Sequence, residues 1–387
     1  MTKTYRRSFA ALLVAALALS IVAALSPAQA TGGAIIDNGT IQLGVHDEGH
    51  LNVFGGEPSS GEGTSYVGLR YMPTGAESTA PGCLCEGWGA ADETSGVTGF
   101  ANEDSDGGAN NITPVSFAFT ASTAVSVVRI EDTLEVTHDY HPSATANLYE
   151  VAVTIRNLSG SDIVPRYRRV MDWDVEPTAF EEFVTAQIGD ADDLIYNNND
   201  GFATANPLGS AESGFVDPVV TGNFVDNGPN DHGALFDFRF DPLAPGASKT
   251  FKTFYGAAGT ESEANTALAA VGAEVYSFGQ ASTEDGPTLG TPNTFIFAFG
   301  GVGGTPLGCG EDGLDALHGG PGDGLVSGTV HESVEPLVAS LDEDSGERVH
   351  RVNCIFVRRA ENVVDDALGT SGNARTSPGI NPRNLIR

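Results

Sequence analysis

The sequence predicts an all-β fold, a large antiparallel β-sandwich with one short helix and a glycine-rich C-terminal extension. Apolar and polar residues alternate through many short segments, which is the pattern of a strand that buries one face. Clusters of Gly, Asn, Asp and Pro separate these segments, as turns between strands require. Since helical spacing occurs in a single segment, a sandwich of strands is the class that fits.

Three segments carry the clearest strand pattern. Residues 149–156 place Tyr149 and every second residue after it on one face. Residues 235–240 and 295–299 repeat the alternation with phenylalanine at every second position. We predict that these are core strands. Further strands are predicted at residues 41–45, 51–54, 66–71, 115–120, 125–130, 134–140, 163–175, 183–188, 249–255 and 274–278.

The one predicted helix covers residues 261–271, where Ala264, Leu268 and Val271 recur at helical spacing and acids occupy the first turn. Three segments rich in glycine and acids are predicted to be long loops. Long loops on a rigid sandwich are where binding commonly occurs. These loops are residues 55–64, 101–111 and 189–233.

The first thirty residues resemble a secretory signal peptide. Lys3, Arg6 and Arg7 precede an apolar run at residues 9–25, and Ala28-Gln29-Ala30 follows it. The run is too short and too rich in alanine to favour a membrane span. Sec and twin-arginine export both remain open, and both lead to a secreted, periplasmic or cell-envelope protein with no transmembrane segment in the mature chain.

Composition then divides the chain into four parts. The glycine-rich stretch after residue 304 indicates a boundary, and the Gly/Ser/Asn/Pro-rich, arginine-containing end is typical of a disordered tail. The predicted organisation is a signal peptide at 1–30, a sandwich body at 31–304, a small cysteine-containing segment at 305–361 and a basic tail at 362–387.

The chain is strongly acidic, with 51 Asp and Glu against 19 Lys and Arg and a net charge of −32. This charge argues against nucleic acid and anionic lipid as partners, because both need clustered Lys and Arg. It fits a solubilising acidic coat, divalent-cation binding, or life in high salt, where counter-ions screen the repulsion.

Four cysteines in an exported chain predict disulfides. We favour a bond between Cys309 and Cys354 and another between Cys83 and Cys85. A cross-pairing that joins the C-terminal region to the N-terminal half remains open.

The most suggestive polar cluster is Asp172-Trp173-Asp174-Val175-Glu176. On a strand the three carboxylates share one side, in steps of roughly 6–7 Å. Such a row of like charges needs a cation, arginine partners or water. A calcium site and a carbohydrate-facing acid pair are the functional interpretations. A structural ladder of ion pairs with arginines 166, 168 and 169 is the alternative.

An enzyme would use these carboxylates together with a histidine. The expected catalytic set is then Asp172, Asp174 and Glu176 with His138 or His141, which lie at the end of a predicted strand. These groups would have to converge in one concave pocket.

Two acidic loops contain hard oxygen ligands of the kind that Ca²⁺ prefers. The candidate ligands are Asp104, Asp106, Asp190, Asp192 and Asp193, although neither loop matches an EF-hand. His46-Asp47-Glu48-Gly49-His50 is similar to the zinc motif H-E-x-x-H, but its glutamate is displaced and Gly49 favours a hairpin turn. A polar turn is the first interpretation, and a metal site is the second.

Several stretches resemble a group of exported bacterial proteins, some of which carry a C-terminal PEP-CTERM sorting anchor. These are residues 149–174, LAPGASKTF at 243–251, VYSFGQ at 275–280 and NTFIFAFGGVGG at 293–304. The strand pattern around Asn157 is also similar to the supersandwich of galactose-mutarotase-like domains. The chain lacks the Val-Pro-Glu-Pro motif and the terminal apolar span, so no anchor is expected.

Together these features favour a non-catalytic secreted or envelope protein, stabilised by Ca²⁺, that binds a glycan or protein partner through its sandwich loops. The first alternative is a carbohydrate-active enzyme, either a glycoside hydrolase or mutarotase-like. The second is an acidic exoprotein adapted to salt, with no small-molecule site.

Overall fold

The computed structural model describes residues 32–283, 286–287 and 289–307. The predicted signal peptide, most of the predicted cysteine-containing segment and the predicted basic tail lie outside these residues. Within them the prediction of an all-β sandwich is confirmed, since antiparallel strands dominate and one α-helix accompanies them. No helix of the described part is long and apolar enough to cross a membrane.

The strands, numbered in chain order, are as follows. They are β1 (Ala34–Asp37), β2 (Ile41–Val45), β3 (Val53–Phe54), β4 (Tyr66–Val67), β5 (Leu69–Tyr71), β6 (Ala76–Glu77), β7 (Gly87–Asp92), β8 (Thr98–Asn102), β9 (Thr113–Phe119), β10 (Ala124–Ile130), β11 (Leu134–Pro142), β12 (Leu148–Asn157), β13 (Pro165–Trp173), β14 (Glu182–Gln187), β15 (Leu194–Asn198), β16 (Phe224–Asn230), β17 (His232–Arg239), β18 (Ser248–Ala258), β19 (Val275–Gln280), β20 (Ser282–Thr283), β21 (Gly286–Pro287) and β22 (Thr294–Gly300). The helix is α1 (Glu261–Val271), and a short 3₁₀ turn covers Ser105–Gly107.

Two large antiparallel sheets form the sandwich. One has nine strands in the order β16-β14-β19-β22-β18-β12-β11-β10-β9, and the other has five in the order β15-β17-β13-β7-β8. A third sheet has the order β1-β2-β5-β6, and two small ribbons pair β3 with β4 and β20 with β21.

The aromatic residues of the alternating strands fill the space between the two large sheets. Phe236 of β17 lies 5.6 Å, centroid to centroid, from Phe297 of β22. Phe238 lies 4.7 Å from Phe299, and both rings are fully buried. Because every second residue of these strands faces the opposite sheet, the predicted alternation produces the main core.

The helix covers the outer face of the nine-stranded sheet. It begins and ends where the sequence predicts, with the Thr260 side chain accepting a hydrogen bond from the Glu263 N–H and Gly272 in the left-handed conformation at its end. Leu268 packs in a second apolar cluster with Ile296 and Ala298, the residues of β22 that point away from the sandwich. Strand β22 is therefore buried on both faces.

Two differences from the sequence prediction affect the candidate site. Residues 189–233, predicted as one long loop, contain β15, β16 and the start of β17. The asparagines of β15 and β16, with Gly228 and Pro229 in β16, hide the strand pattern. The strand predicted at 163–175 ends at Trp173. Beyond it the backbone leaves the five-stranded sheet, because the N–H groups of Asp174 and Glu176 donate to the carbonyl oxygens of Ser78 and Glu77.

Candidate functional site

The candidate site lies at the end of β13, where the chain leaves the five-stranded sheet. Asp172 pairs with Gly233 of β17, and both Asp172 and Asp174 are buried. Trp173 points the other way and donates its Nε1–H to Ser277 Oγ at 3.2 Å. Alternation therefore places the two aspartates on one side and the indole on the other, as the sequence predicts.

A third aspartate completes a compact cluster. One carboxylate oxygen from each of Asp172, Asp174 and Asp231 lies within 4.8 Å of the other two. Asp231 occupies the short connection between β16 and β17 and is exposed, so solvent reaches the cluster from its side. No pattern in the sequence marks Asp231 as a site residue, because a lone acid in a polar turn carries no periodic signal.

The buried carboxylates lack the partners that such groups normally have. Both carboxylate oxygens of Asp174 and Oδ1 of Asp172 are buried and have no hydrogen-bond partner among the described residues. In Glu182, at the start of β14, Oε1 accepts the His232 N–H at 3.1 Å while Oε2 has no partner in this part of the chain. Burying an ionised group without a partner costs several kcal/mol of folding free energy. The carboxylates of the cluster should therefore either be protonated or bind a cation.

The arginines of β13 do not supply the missing charge. Arg168 forms a bidentate pair with Asp237, with both N···O distances at 2.7 Å. Arg169 pairs with Glu86 in the sandwich core, and Arg166 lies 3.5 Å from Glu93. The ion-pair ladder considered from the sequence therefore does not involve Asp172 or Asp174.

Burial and mutual repulsion raise the pKa values of the cluster. Burial, together with the charges of Asp231 and Glu77, raises the pKa of Asp174 to about 8. Burial raises the pKa of Glu182 to about 9 and also raises the pKa of Asp231. The pKa of Asp172 lies well above its ordinary value for the same reasons, burial first and the Asp174 charge second. Near neutral pH Asp174 and Glu182 would hold protons unless a cation replaced them.

Two residues border the cluster, Gly82 with close contacts to its neighbours and Phe180 with an unusual backbone conformation. A Cβ atom on Gly82 would lie 3.0 Å from both Asp174 oxygens and 2.6 Å from the Phe180 ring. Phe180 is 44% exposed and has a φ of 75°, a conformation that a bulky residue rarely adopts. Such strain persists only where the surroundings hold the residue in place, and it is common at functional sites.

The donor set of the cluster is suited to a hard divalent cation. Calcium binds oxygen ligands at about 2.3–2.6 Å, so two oxygens on one ion are at most about 5 Å apart. The three aspartate oxygens satisfy this limit, and their all-oxygen chemistry favours Ca²⁺, Mg²⁺ or Mn²⁺ over softer metals. Exposure on the Asp231 side leaves room for water ligands.

No protein-family model and no curated protein matches this chain.

Glu176 does not join the cluster. Its carboxylate accepts hydrogen bonds from the Ser59 hydroxyl and from the backbone N–H groups of Gly61, Glu62 and Glu77, at 3.1, 2.6 and 2.9 Å for the three N–H groups. It thereby fixes the loop at residues 55–64 against the end of β13.

The two candidate histidines lie apart from each other and from Asp172. His138 is fully buried, with Nε2 3.0 Å from the Tyr167 hydroxyl and its ring 4.5 Å from that of Trp88. His141 is at the far end of β11, with Nε2 3.8 Å from a Glu150 oxygen. The structure does not bring either histidine into the group formed by Asp172, Asp174 and Asp231.

The first acidic loop uses its aspartates for contacts within the protein. Asp104 accepts the Leu84 N–H at 3.0 Å, and Asp106 accepts the Ala205 N–H at 3.0 Å. The two carboxylates thus connect this loop to two different neighbours.

The second acidic loop behaves in the same way. Asp190 accepts the Thr305 N–H at 2.6 Å, and Asp193 accepts a hydrogen bond from Lys249 Nζ at 2.9 Å. Asp192 is exposed. Neither metal-capable group in the described ranges includes an aspartate of these two loops.

The cysteines lie in two regions of the chain. The Sγ atoms of Cys83 and Cys85 are in contact, and the Ser105 hydroxyl lies 3.0 Å from Cys85 Sγ. Cys309 and Cys354 lie outside the described residues, so the full pairing stays a prediction.

Proposed function

We propose that this protein is an exported, non-catalytic sandwich protein that binds Ca²⁺ through Asp172, Asp174 and Asp231. In this proposal the ion stabilises the loops around the site, which bind an extracellular glycan or protein. The observation that carries it is the pair of buried aspartates whose carboxylate oxygens have no hydrogen-bond partner among the described residues.

A cation accounts for this arrangement better than protons do. Protonated carboxyl groups still need acceptors for their O–H groups, and buried polar groups without partners are costly. A divalent ion would bind the ionised oxygens directly and neutralise their repulsion. The strongly acidic charge of the chain would also raise the local concentration of cations.

The cation site adjoins a segment that exposes aromatic side chains. A Cβ on Gly201 would lie 2.6 Å from the Asp172 Cα, so the backbone at Gly201 lies directly against the site. The next residue, Phe202, packs edge to face on Phe215 at 6.0 Å, and Phe215 is 82% exposed. Exposed aromatic rings are common in binding surfaces. This supports residues 201–215, together with Phe180, as the region that binds the partner.

One observation favours a carbohydrate-active enzyme as a second candidate. The carboxylates of Asp172 and Asp174 lie close together, and the pKa of Asp174 is raised to about 8. Such a pair resembles the acid and nucleophile of a retaining glycosidase. The wider catalytic set is dispersed, however, because Glu176 is engaged in loop contacts and His138 and His141 lie elsewhere. This makes the non-catalytic function the better supported one.

The test is thermal melting of the purified chain in Ca²⁺ and in EDTA, followed by a glycan array under both conditions. We expect Ca²⁺ to raise Tm for the wild type and for Asp132→Asn, whose side chain is exposed on a hairpin turn, but not for Asp174→Asn. A melting curve indifferent to Ca²⁺ and EDTA would refute the calcium site. Glycan hydrolysis that is lost in Asp174→Asn would replace the binding function with the enzymatic one.

A further inference from the structure

The histidine-containing segment at residues 46–50 forms a tight turn between β2 and Leu51. The His46 N–H donates to the His50 carbonyl at 2.8 Å, and the Gly49 N–H donates to the His46 carbonyl at 2.9 Å. Gly49 has a φ of 86°, and a Cβ there would lie 2.7 Å from His138 Nδ1. Glycine is therefore required, and the two histidines face each other across the turn.

Side chains of the two large sheets hold the backbone of this turn. The carbonyl of Asp47 accepts the Ser126 hydroxyl at 2.7 Å, and the carbonyl of Glu48 accepts the Trp88 Nε1–H at 2.9 Å. These bonds fix the first half of the turn to β10 and β7.

The second half is held by a buried ion pair. The Gly49 carbonyl accepts the Tyr140 hydroxyl at 2.9 Å and an Arg169 N–H at 3.2 Å. Arg169 pairs with Glu86, whose other oxygen accepts the Leu51 N–H at 2.7 Å. The turn is therefore rigid before any ligand binds, which is the condition for a preorganised site.

The two imidazole rings lie close together, and His50 makes the hydrogen bond to a carbonyl that metal-ligating histidines commonly make. They stack with centroids 4.4 Å apart and an interplanar angle of 17°. His50 is buried, and its Nδ1 lies 2.7 Å from the Leu51 carbonyl oxygen. A carbonyl only accepts, so Nδ1 carries the proton and Nε2 keeps its lone pair in the neutral ring. His46 Nδ1 is also buried and makes no hydrogen bond in the described part of the chain, and the Asp47 carboxylate lies 3.0 Å from it.

Carboxylates complete the ligand set. One Glu103 oxygen and one ring nitrogen of each histidine lie within 4.8 Å of one another. Glu48 Oε2 lies 3.7 Å both from His46 Nδ1 and from His50 Nε2. That distance exceeds a charge-assisted hydrogen bond of about 2.7–2.9 Å. It is close to the separation of about 3.4 Å between two ligands of a tetrahedral zinc ion.

We propose that His46, His50 and Glu103 bind a transition-metal ion of the zinc class, with Glu48 beside it as a further carboxylate. Imidazole nitrogens select zinc, copper or nickel over calcium, so this site is chemically distinct from the aspartate cluster. Glu103 is exposed and His46 is half-buried, so one side of the ion would face solvent. The ion would connect the turn at 46–50 to the loop that follows β8.

The experiment is a titration of the purified, chelator-treated full chain with Zn²⁺ by calorimetry, and with Co²⁺ by its visible absorption. We expect one equivalent to bind. His46→Gln and Glu103→Gln should each weaken binding by at least about 10–100-fold, the loss typical when even an outer-shell partner is removed. His141→Gln is the matched control, because His141 is a half-buried histidine like His46 but lies elsewhere in the same fold, and this variant should bind as the wild type does.

Three outcomes would overturn the proposal: no stoichiometric binding, binding that survives both ligand variants, or an equal loss in His141→Gln. Circular dichroism verifies that each variant is folded, and both ligand substitutions avoid the buried His50. Asp174→Asn should retain Zn²⁺ binding, so failure of the calcium proposal is distinguishable from failure of this one.

Discussion

Replacing Asp174 by Asn should have opposite effects on stability with and without calcium. Asn keeps the size of the side chain and removes its charge. In EDTA the variant should be more stable than the wild type at alkaline pH, because the buried carboxylate is gone. In saturating Ca²⁺ it should be less stable than the wild type, because a ligand of the ion is gone.

The magnitude follows from the pKa of Asp174, which burial and neighbouring charges raise from 3.8 to about 8. A carboxyl group with a raised pKa in the folded state keeps its proton where the unfolded chain has lost it. Stability without Ca²⁺ therefore falls as pH rises from about 4 to about 8, by up to about 5 kcal/mol at about 1.4 kcal/mol per pKa unit. The Asn amide is itself buried without hydrogen-bond partners, which costs about 1–3 kcal/mol. In EDTA at about pH 8 the free energy of unfolding of the variant should therefore exceed that of the wild type by about 2–4 kcal/mol.

The assay is urea unfolding at about pH 5 and about pH 8, each in EDTA and in saturating CaCl₂. At about pH 8, Ca²⁺ at about 100 times its Kd should raise the free energy of unfolding of the wild type by about 2.7 kcal/mol. It should raise that of Asp174→Asn by much less. Asp132→Asn is the control and should follow the wild type in all four conditions. Equal stabilisation of Asp174→Asn and wild type by Ca²⁺, or a variant less stable than wild type in EDTA at about pH 8, would refute the reasoning.

Three further substitutions test the surroundings of the site. Gly82→Ala should lower the free energy of unfolding by about 1–3 kcal/mol and weaken the Ca²⁺ effect, since its Cβ would meet the Phe180 ring and the Asp174 oxygens, whereas Gly160→Ala, with open space, should not. Arg169→Met should cost about 3–5 kcal/mol in urea unfolding, because Glu86 becomes an unpaired buried charge, and adding Glu86→Gln should recover part of that loss. Glu176→Gln should make the loop at 55–64 more sensitive to limited proteolysis than the exposed-residue control Glu181→Gln does, since one amide cannot accept all of the bonds that the carboxylate accepts.

The core of this fold could be predicted from local pattern because burial follows alternation. Phe236, Phe238 and Phe240 all face the opposite sheet, as their spacing indicates. Alternation does not predict β7, whose sequence GWGAAD is buried at all six positions and so has no polar face. There a Cβ on Gly89 would lie 2.2 Å from the Ala205 carbonyl, so small residues are required by a covering segment that is remote in sequence.

In the candidate site too, the positions of some residues follow from the local sequence, while those of others depend on residues far away in the chain. Asp172 and Asp174 point to the same side of the chain because they flank Trp173 in an extended segment. Their spacing in the sequence is enough to predict this. Asp231 joins them only because β17 pairs with β13 in a register that places His232 opposite Trp173. Glu176 leaves the group for an equally non-local reason, since its backbone pairs with Glu77 instead of continuing the sheet.

The acidic surface and the aspartate cluster should respond to different ions. Exposed acids such as Asp132 repel one another through water, and salt screens that repulsion within about 10 Å at 0.1 M ionic strength. The carboxylates of Asp172 and Asp174 are buried, where simple salt screens poorly. NaCl should therefore stabilise wild type and Asp174→Asn alike, while Ca²⁺ in the presence of that NaCl should stabilise the wild type alone. A protein adapted only to salt would respond to NaCl and show no further gain from Ca²⁺, so this pair of titrations separates the two interpretations of the acidic composition.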